Sequence, residues 1–258
     1  MSTTNFLAQM QAYYGEVYTS HESITEMRPY DYICYLQKQF NHVENSINFN
    51  DKTSAQKAFD LLESEHKETL DAIAEKDIVL LRDGIADQLT ISHFLAFVID
   101  GMFDLSSDLL VKPTKTISEY RQQLEEAFKI FKQSFMGDDV ETANAELANF
   151  ITAVLSFPLE TNINSEDDLL SVTFSSLSKV CPNQDVADKT LKFYQDNKYD
   201  VHIAPVPNGL AIFVSNDCEI EVKSKSSVRT EIVPKGKFLK SIYKLEPYFS
   251  EIEFKAQW

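Results

Sequence analysis

The chain is poor in glycine, proline and cysteine. Its 258 residues include 6 glycines and 8 prolines, which is too few for a loop-rich or all-β protein and argues against disorder. The three cysteines are far apart and lack Cys-x-x-Cys spacing, so the sequence predicts reduced thiols in a cytoplasmic protein rather than a disulfide framework or a zinc site. With 43% hydrophobic residues, the chain can still bury a sizeable core.

The sequence also lacks the segments and motifs that mark several common protein classes. We expect no signal peptide, and the most apolar window, residues 89–103, is too short to span a bilayer. The sequence contains neither the glycine-rich phosphate loop of P-loop proteins nor that of dinucleotide-binding folds. A Gly-x-Ser-x-Gly nucleophile motif and a His-Glu-x-x-His zinc motif are missing too, so these classes of enzyme are not supported.

Negative charge dominates the chain, whose formal net charge is −16. A charge of this sign disfavours non-specific affinity for nucleic acid or anionic membranes, so we expect neither as a partner. Residues 221–244 are the exception, with seven Lys or Arg residues against two Glu. This basic segment could close over an anionic ligand, or it could dock on the acidic body of its own chain, which is the commoner arrangement.

Helical periodicity dominates the sequence up to about residue 196. The pattern predicts two helices within residues 4–48 and a turn of helix at 104–110, and we expect a polar connection over 156–171. Further helices are predicted at 55–74, 78–99, 116–135, 140–155 and 183–195. Short β-like segments follow at 201–203, 210–214 and 219–222, with a hairpin-type turn at 207–209. The sequence therefore predicts a mainly α fold, with a helical domain over residues 1–196 and a small strand-rich C-terminal extension over 197–258.

Four carboxylates at helical spacing form the candidate site. Glu65 and Glu68 are three residues apart on one predicted helix, and Asp83 and Asp87 are four apart on the next, so each pair shares a helix face. Glu65, Asp83 and Asp87 fall within apolar sectors of their helices. Ionised carboxylates in such positions need compensation, because an unpaired buried charge costs several kcal/mol.

The expected hairpin register brings the two pairs together. If the chain reverses near residue 76, Glu65 faces Asp87 and Glu68 faces Asp83. Four like charges at one helix seam would repel each other unless a divalent cation lay among them. Oxygen ligands with no nearby cysteine favour Mg²⁺, with Mn²⁺ as a possible substitute.

These acidic residues allow two other interpretations. The carboxylates could be ordinary surface charges on amphipathic helices, although their apolar faces and mutual register favour a site. Glu63-x-x-His66 matches the Glu-x-x-His unit that di-iron helix bundles use twice. The sequence contains one copy of that unit, and Glu63 and Glu65 point in different directions on a helical wheel, so we set the di-iron interpretation aside.

The order of these motifs resembles a known family. Glu65-x-x-Glu68 followed by the segment from Lys76 to Asp87 resembles the all-α nucleotide pyrophosphohydrolases, the superfamily of MazG, phosphoribosyl-ATP pyrophosphohydrolase and the dimeric dUTPases. The phage-encoded MazG-like or phosphoribosyl-ATP pyrophosphohydrolase-like members often have Asp-x-x-x-Asp as their second motif. The broader superfamily usually has Glu-x-x-Asp, whose Glu position is Gly84 here, so Asp83 must take over that role. Two later segments also resemble the phage type, residues 174–179 and 235–248.

The resemblance implies a fold and an activity. The expected fold is an all-α NTP pyrophosphohydrolase-like helical bundle. The expected reaction is Mg²⁺-dependent attack of water on a phosphorus of a nucleoside triphosphate or related nucleotide, with release of pyrophosphate. The metal ligands and catalytic residues would be Glu65, Glu68, Asp83 and Asp87, one of which would also orient the water. Candidate phosphate contacts are Lys179, Lys237 and Lys240, each of which is equally compatible with an ordinary solvated lysine.

Further expectations concern partners and location. The family typically builds its active sites between subunits, which implies a homodimer or homotetramer. The expected location is the cytoplasm, which would be that of the host if the chain is phage-encoded. A rival hypothesis is a non-catalytic helical protein that senses nucleotides or binds other proteins on the same scaffold. The sequence leaves open the base that is recognised, the number of metal ions and the carboxylate that orients the water.

Overall fold

Six helices and five strands make up the part of the chain that the structure describes. This computed structural model describes residues 52–99, 112–137, 139–157, 165–206, 209–223, 228–247 and 249. The helices are α1 (Lys52–Glu75), α2 (Ile78–Val98), α3 (Ile117–Phe135), α4 (Val140–Leu155), α5 (Ser165–Ser178) and α6 (Gln184–Asp196). The strands are β1 (Val201–Val206), β2 (Gly209–Val214), β3 (Cys218–Lys223), β4 (Val228–Val233) and β5 (Phe238–Leu239).

The predicted mainly α fold with a small strand-containing part is confirmed. Five of the helices agree closely with the predicted ranges because capping residues in the sequence mark where they begin. Thr116, Asp139 and Asn183 accept hydrogen bonds from backbone N–H groups in the first turns of α3, α4 and α6. The helices predicted within residues 4–48 and the turn at 104–110 lie outside the described residues.

The polar connection predicted over residues 156–171 is wrong from Ser165 onward. Helix α5 occupies residues 165–178 and packs against α2. Its polar composition conceals its burial, because buried hydroxyl groups of the helix are hydrogen-bonded: Thr173 Oγ1 donates to the Leu169 carbonyl at 2.7 Å, and Ser175 Oγ donates to the Leu245 carbonyl at 2.8 Å. Asp168 lies in the segment predicted to be a polar connection, but it is buried in an ion pair with Arg82.

A tight turn joins α1 to α2, as predicted near residue 76. Lys76 has a φ of 60°, and the N–H groups of Lys76 and Asp77 donate back to the carbonyls of Ile73 and Ala72. These paired bonds and the left-handed residue end α1 in a Schellman motif. Asp77 then caps α2 by accepting from the N–H groups of Val79 and Leu80. The turn therefore reverses the chain within two residues, which fixes the register of the two helices.

Close packing and buried polar contacts hold that register. A Cβ atom built on Gly84 would lie 2.4 Å from Thr69 Oγ1, so the helices approach each other at this point as near as glycine allows. Gln88 donates to Thr69 Oγ1 at 2.6 Å, and its side-chain oxygen lies 3.2 Å from His66 Nδ1. Thr69 faces Gly84 rather than Asp83, so the predicted pairing is correct to one position.

We expect Gly84→Ala to destabilise the folded protein by about 1 to 3 kcal/mol. The added methyl group must push α1 and α2 apart, and this overpacking outweighs the gain of about 1 kcal/mol in helix propensity. Urea unfolding measures the change. Because Thr69 Oγ1 is the nearest atom, the cost should be smaller in a Thr69→Ala background. An unchanged unfolding midpoint for the single variant would mean that the seam is loosely packed.

The helical core lies between the α1–α2 hairpin and a second hairpin formed by α3 and α4. Its centre is a group of stacked and edge-on rings from three helices, which comprises Phe59, His66, Phe128, Phe131 and Phe150. Such ring contacts stabilise the fold beyond the contribution of the apolar area that each side chain buries. In the described ranges, no helix combines the length and the apolarity that crossing a membrane requires.

The strands form two antiparallel sheets, one with the order β1-β2-β5 and one with the order β3-β4. Val206 pairs with Gly209, as the predicted hairpin requires. Helix α6 packs against β1 and β2, and together they enclose a second apolar cluster that includes Ala187, Val201 and Ile212. The domain boundary between residues 196 and 197 stays a prediction, since α6 is packed with the strands that follow it.

Candidate metal centre

The four predicted carboxylates line one cavity at the α1–α2 seam. The cavity has a volume of about 170 Å³, and its lining comprises Glu65, Glu68, Asp71, Ala72, Glu75, Leu80, Asp83, Gly84 and Asp87. This volume is sufficient for several water molecules or for an ion that retains part of its hydration shell. Asp71 and Glu75 were not among the predicted site residues, although their helical spacing from Glu68 could have identified them.

The carboxylates differ in burial. Glu65, Asp83 and Asp87 are half-buried, whereas Glu68 is exposed. This pattern agrees with the helical wheel, which put the first three in apolar sectors of their helices. Thr69 donates a hydrogen bond to the Glu65 carbonyl at 2.8 Å, so the buried polar contacts of the seam also hold the turn of α1 that carries Glu65.

Negative charge accumulates in this cavity. The pKa of Glu65 is raised to about 7, mainly by burial and also by the charges of Glu68 and Asp83, against an opposing effect of Lys179. Burial also raises the pKa of Asp83, with smaller contributions in the same direction from Glu68 and Glu246. Both shifts indicate that these carboxyl groups are destabilised in their ionised forms and would gain from an added cation.

The donor atoms suit a hard cation, but they are not drawn together into a coordination shell. Among the residues that the structure describes, no three Asp, Glu, His or Cys side chains meet around a common point where a metal could be held. Ionised carboxylates without a cation repel one another, so a binding ion would have to draw them inward. An all-oxygen donor set fits Mg²⁺ or Mn²⁺ better than a metal that prefers thiolate or imidazole.

The three candidate lysines lie in different places. Lys179 follows the end of α5, and its charge acts on both Glu65 and Asp83. Lys237 and Lys240 line a different cavity, of about 450 Å³, together with aromatic side chains of α6 and Tyr199. The charge of Lys240 acts on Glu246, whose own charge reaches Asp83. Of the three, Lys179 is therefore the lysine whose charge acts directly on the candidate carboxylates, whereas Lys237 and Lys240 line the other cavity.

The residues of the di-iron interpretation are engaged elsewhere. His66 stacks on Phe128 with 4.0 Å between ring centroids, and its Nδ1 lies against Gln88. Burial lowers the pKa of His66, which favours the neutral form of the ring. Glu63 forms an ion pair with Lys132 of α3. His66 thus serves the packing of the seam beneath the carboxylates.

We expect the metal-free protein to lose stability as the pH rises from about 4.5 to about 7. The folded state binds the Glu65 proton more tightly than the unfolded chain does. The stabilisation from this proton is therefore complete below the Glu65 pKa of the unfolded chain, and it disappears as the pH rises through the Glu65 pKa of the folded protein. With allowance for screening by solvent, this contribution amounts to about 1 to 2 kcal/mol.

Urea unfolding with EDTA at a series of pH values measures this dependence. Glu65→Gln is the matched variant, because its amide resembles the protonated acid and cannot titrate. The difference between the free energies of unfolding of the two proteins at each pH gives the contribution of Glu65 separately from those of the other acidic groups. Parallel curves for the wild type and the variant would show that Glu65 titrates in the same way in the folded and unfolded chains.

Comparison with protein-family models, with curated proteins and with solved structures finds no match for this chain. The likeness to the all-α nucleotide pyrophosphohydrolases therefore depends on the motifs and their spacing.

Proposed function

We propose that this protein is a Mg²⁺-dependent nucleotide pyrophosphohydrolase of the MazG-like type, built as an all-α bundle with a strand-rich extension. It would convert a nucleoside triphosphate or a related nucleotide to the monophosphate and pyrophosphate. The observation that carries the proposal is the cavity at the α1–α2 seam, where Glu65, Glu68, Asp83 and Asp87 are lining residues. The raised pKa values of Glu65 and Asp83 support a need for positive charge there.

In this proposal, the four carboxylates hold the ion, and one of them accepts a hydrogen bond from the attacking water. Bound Mg²⁺ would neutralise phosphate charge and increase the acidity of that water. Lys179 would contact the phosphate chain, since its charge acts on Glu65, which lines the cavity. The contacts of Thr69 and Gln88 would keep the two helices in register, so that carboxylates from both helices line the same cavity.

We also propose that the active form is a homodimer or homotetramer in the cytoplasm, which would be the host cytoplasm for a phage protein. Val79 and Leu80 support an interface near the cavity. Their side chains are 53% and 51% exposed at the start of α2, and Leu80 also lines the cavity. Apolar side chains exposed beside a site are suitable surfaces for a second subunit.

One observation favours the rival function, a non-catalytic nucleotide sensor or interaction module. Within the described part of the chain, the carboxylates are not assembled around a common point. A protein that only binds nucleotides does not require such an assembly. The two functions differ in a simple way, because the sensor would return the nucleotide unchanged.

A nucleotide screen tests the proposal. The purified full chain is incubated with Mg²⁺ and with canonical triphosphates, modified triphosphates, phosphoribosyl-ATP or alarmones, and the products are separated by chromatography. We expect at least one nucleotide to give the monophosphate and pyrophosphate, and we expect EDTA to stop the reaction. Binding without any product would favour the sensor.

A further inference from the structure

A second cavity lies between α6 and the segment that begins with β5. Its volume of about 450 Å³ is within the range of small-molecule binding sites. Lys237 and Lys240, which the family resemblance made candidate contacts for the substrate phosphates, line this cavity. It shares no lining residue with the carboxylate cavity at the α1–α2 seam. The second cavity is therefore a separate candidate site, and the proposed reaction does not use it.

The charge of the second cavity is opposite to that of the first. Lys237, Lys240 and Lys244 line it, and none of the described residues that line it is acidic. By contrast, the lining of the seam cavity contains six acidic side chains and no basic one among the described residues. Lys244 forms an ion pair with Glu246, so Lys237 and Lys240 are the principal candidates for contact with an anion. In a chain with a net charge of −16, a basic cavity of this kind favours an anionic ligand.

Aromatic rings give the cavity a second chemical feature, since Phe193, Tyr194 and Tyr199 also line it. Phe193 lies edge-on to Tyr194 with ring centroids 5.3 Å apart, and Tyr194 lies edge-on to Tyr199 with ring centroids 5.2 Å apart. Phe193 is 48% exposed, so part of its ring can contact a ligand. Flat aromatic groups stack on such rings with little dependence on their hydrogen-bonding pattern. A ligand that joins an aromatic ring system to negative charge would match both features of the cavity.

Hydrogen bonds hold the parts of this lining together. The Tyr194 hydroxyl donates to the Lys240 carbonyl at 2.9 Å, which ties the segment after β5 to α6. The Tyr199 N–H donates to the Tyr194 carbonyl at 3.0 Å. Phe238 and Leu239 of β5 pair with β2, which itself packs against α6. The fold therefore forms the cavity without a ligand, and binding does not have to order its walls.

We propose that this cavity binds a free nucleotide, with Lys237 and Lys240 contacting its phosphates and Phe193 stacking on its base. A nucleotide combines a flat ring system with several negative charges in one small molecule. Single-stranded nucleic acid has the same chemistry, but the acidic remainder of the chain would repel a long polyanion. The lysines supply the positive charge, so this site requires no metal ion. The inference is also independent of the proposed hydrolysis at the α1–α2 seam.

Calorimetric titration of the four canonical ribonucleoside triphosphates into the full chain with EDTA tests this site. Without a dication, the seam carboxylates repel phosphate, so binding there does not contribute. We expect at least one nucleotide to bind the wild type. Its affinity should fall at least about tenfold in Lys237→Met/Lys240→Met and at least about fivefold in Phe193→Leu. Tripolyphosphate, which has the charge but no base, should bind the wild type at least about fivefold more weakly than that nucleotide.

Three control variants accompany these titrations. Lys129→Met removes the same charge from an exposed position on α3 and should bind as the wild type does. Glu68→Gln changes the other cavity and should also leave the affinity unchanged. Phe193→Tyr keeps an aromatic ring and should retain the affinity that Phe193→Leu loses.

Several results would overturn the inference. One is a wild type that binds none of the four nucleotides, and another is equal affinity in the wild type and the lysine double variant. Tighter binding of a single-stranded oligonucleotide of about ten residues would assign the cavity to nucleic acid instead. Sedimentation velocity that shows a wild-type oligomer and a monomeric lysine double variant would assign these lysines to a subunit interface. A nucleotide that binds here, while the screen with Mg²⁺ yields no product, would support this site and contradict the proposed function.

Discussion

Glu68→Gln and Asp83→Asn should each reduce pyrophosphate release at least about 100-fold. Each substitution keeps the size of the side chain and removes one negatively charged oxygen donor from the α1–α2 cavity. In metal-assisted phosphoryl chemistry, the position of the ion controls the stabilisation of the transition state, so a lost ligand lowers kcat rather than only raising KM. Glu68 is the more informative of the two because it is exposed, and its substitution should leave the fold intact.

Product release by chromatography at saturating Mg²⁺ measures the effect. Glu126→Gln is the matched control, since it carries the same chemical change on the exposed surface of α3 and should retain wild-type turnover. Urea unfolding of each variant establishes that the protein is still folded. Unchanged turnover in a folded Glu68→Gln protein would remove this residue from the catalytic site.

Asp168→Ala should destabilise the protein by about 3 to 5 kcal/mol. Arg82 and Asp168 form a buried ion pair, with side chains 5% and 4% exposed and with 2.7 Å between Arg82 Nε and Asp168 Oδ2. Removal of the carboxylate leaves the guanidinium in a poorly solvated place without its main counter-ion, which is far more costly than loss of a surface pair. The pair also joins α2 to α5 beside Asp83, so the site should weaken along with the fold.

The double variant Arg82→Met/Asp168→Leu distinguishes the cost of an unpaired charge from a general sensitivity of this region. Because a buried ion pair can be replaced by apolar side chains with little net loss, we expect the double variant to be much more stable than Asp168→Ala. Urea unfolding of the three proteins provides the comparison. A loss below about 1 kcal/mol in Asp168→Ala would show that Arg82 is solvated or paired in another way.

The α1–α2 hairpin could be predicted from the sequence because its signals are local. Asp77 is a capping residue, and the break before it marks the reversal that sets the register. The spacing of Glu65 and Glu68, and of Asp83 and Asp87, then locates all four side chains at one seam. The motif of the broader superfamily that the chain resembles has a glutamate at the position of Gly84. The structure gives a reason for this difference, since a glutamate there would clash with Thr69.

Helix α5 and the packing of residues 241–247 against it could not be predicted from local signals. Serine, threonine and Asp168 make α5 polar in composition, and its burial depends on a partner 86 residues earlier in the chain. Residues 241–247 likewise return to α5 through the hydrogen bonds of Leu245 with Ser175 and Ser178, and no sequence period connects these positions. Long-range pairs of this kind can be identified only in the folded structure.

Calorimetric titration of Mg²⁺ into the metal-free full chain at about pH 7.5 tests the central claim most directly, with Asp83→Asn as the comparison. The claim is that the carboxylates of the α1–α2 seam bind a dication. We expect saturable binding to the wild type and a loss of at least about tenfold in affinity in the variant. Absence of binding to the wild type, or equal affinities for the two proteins, would contradict the account.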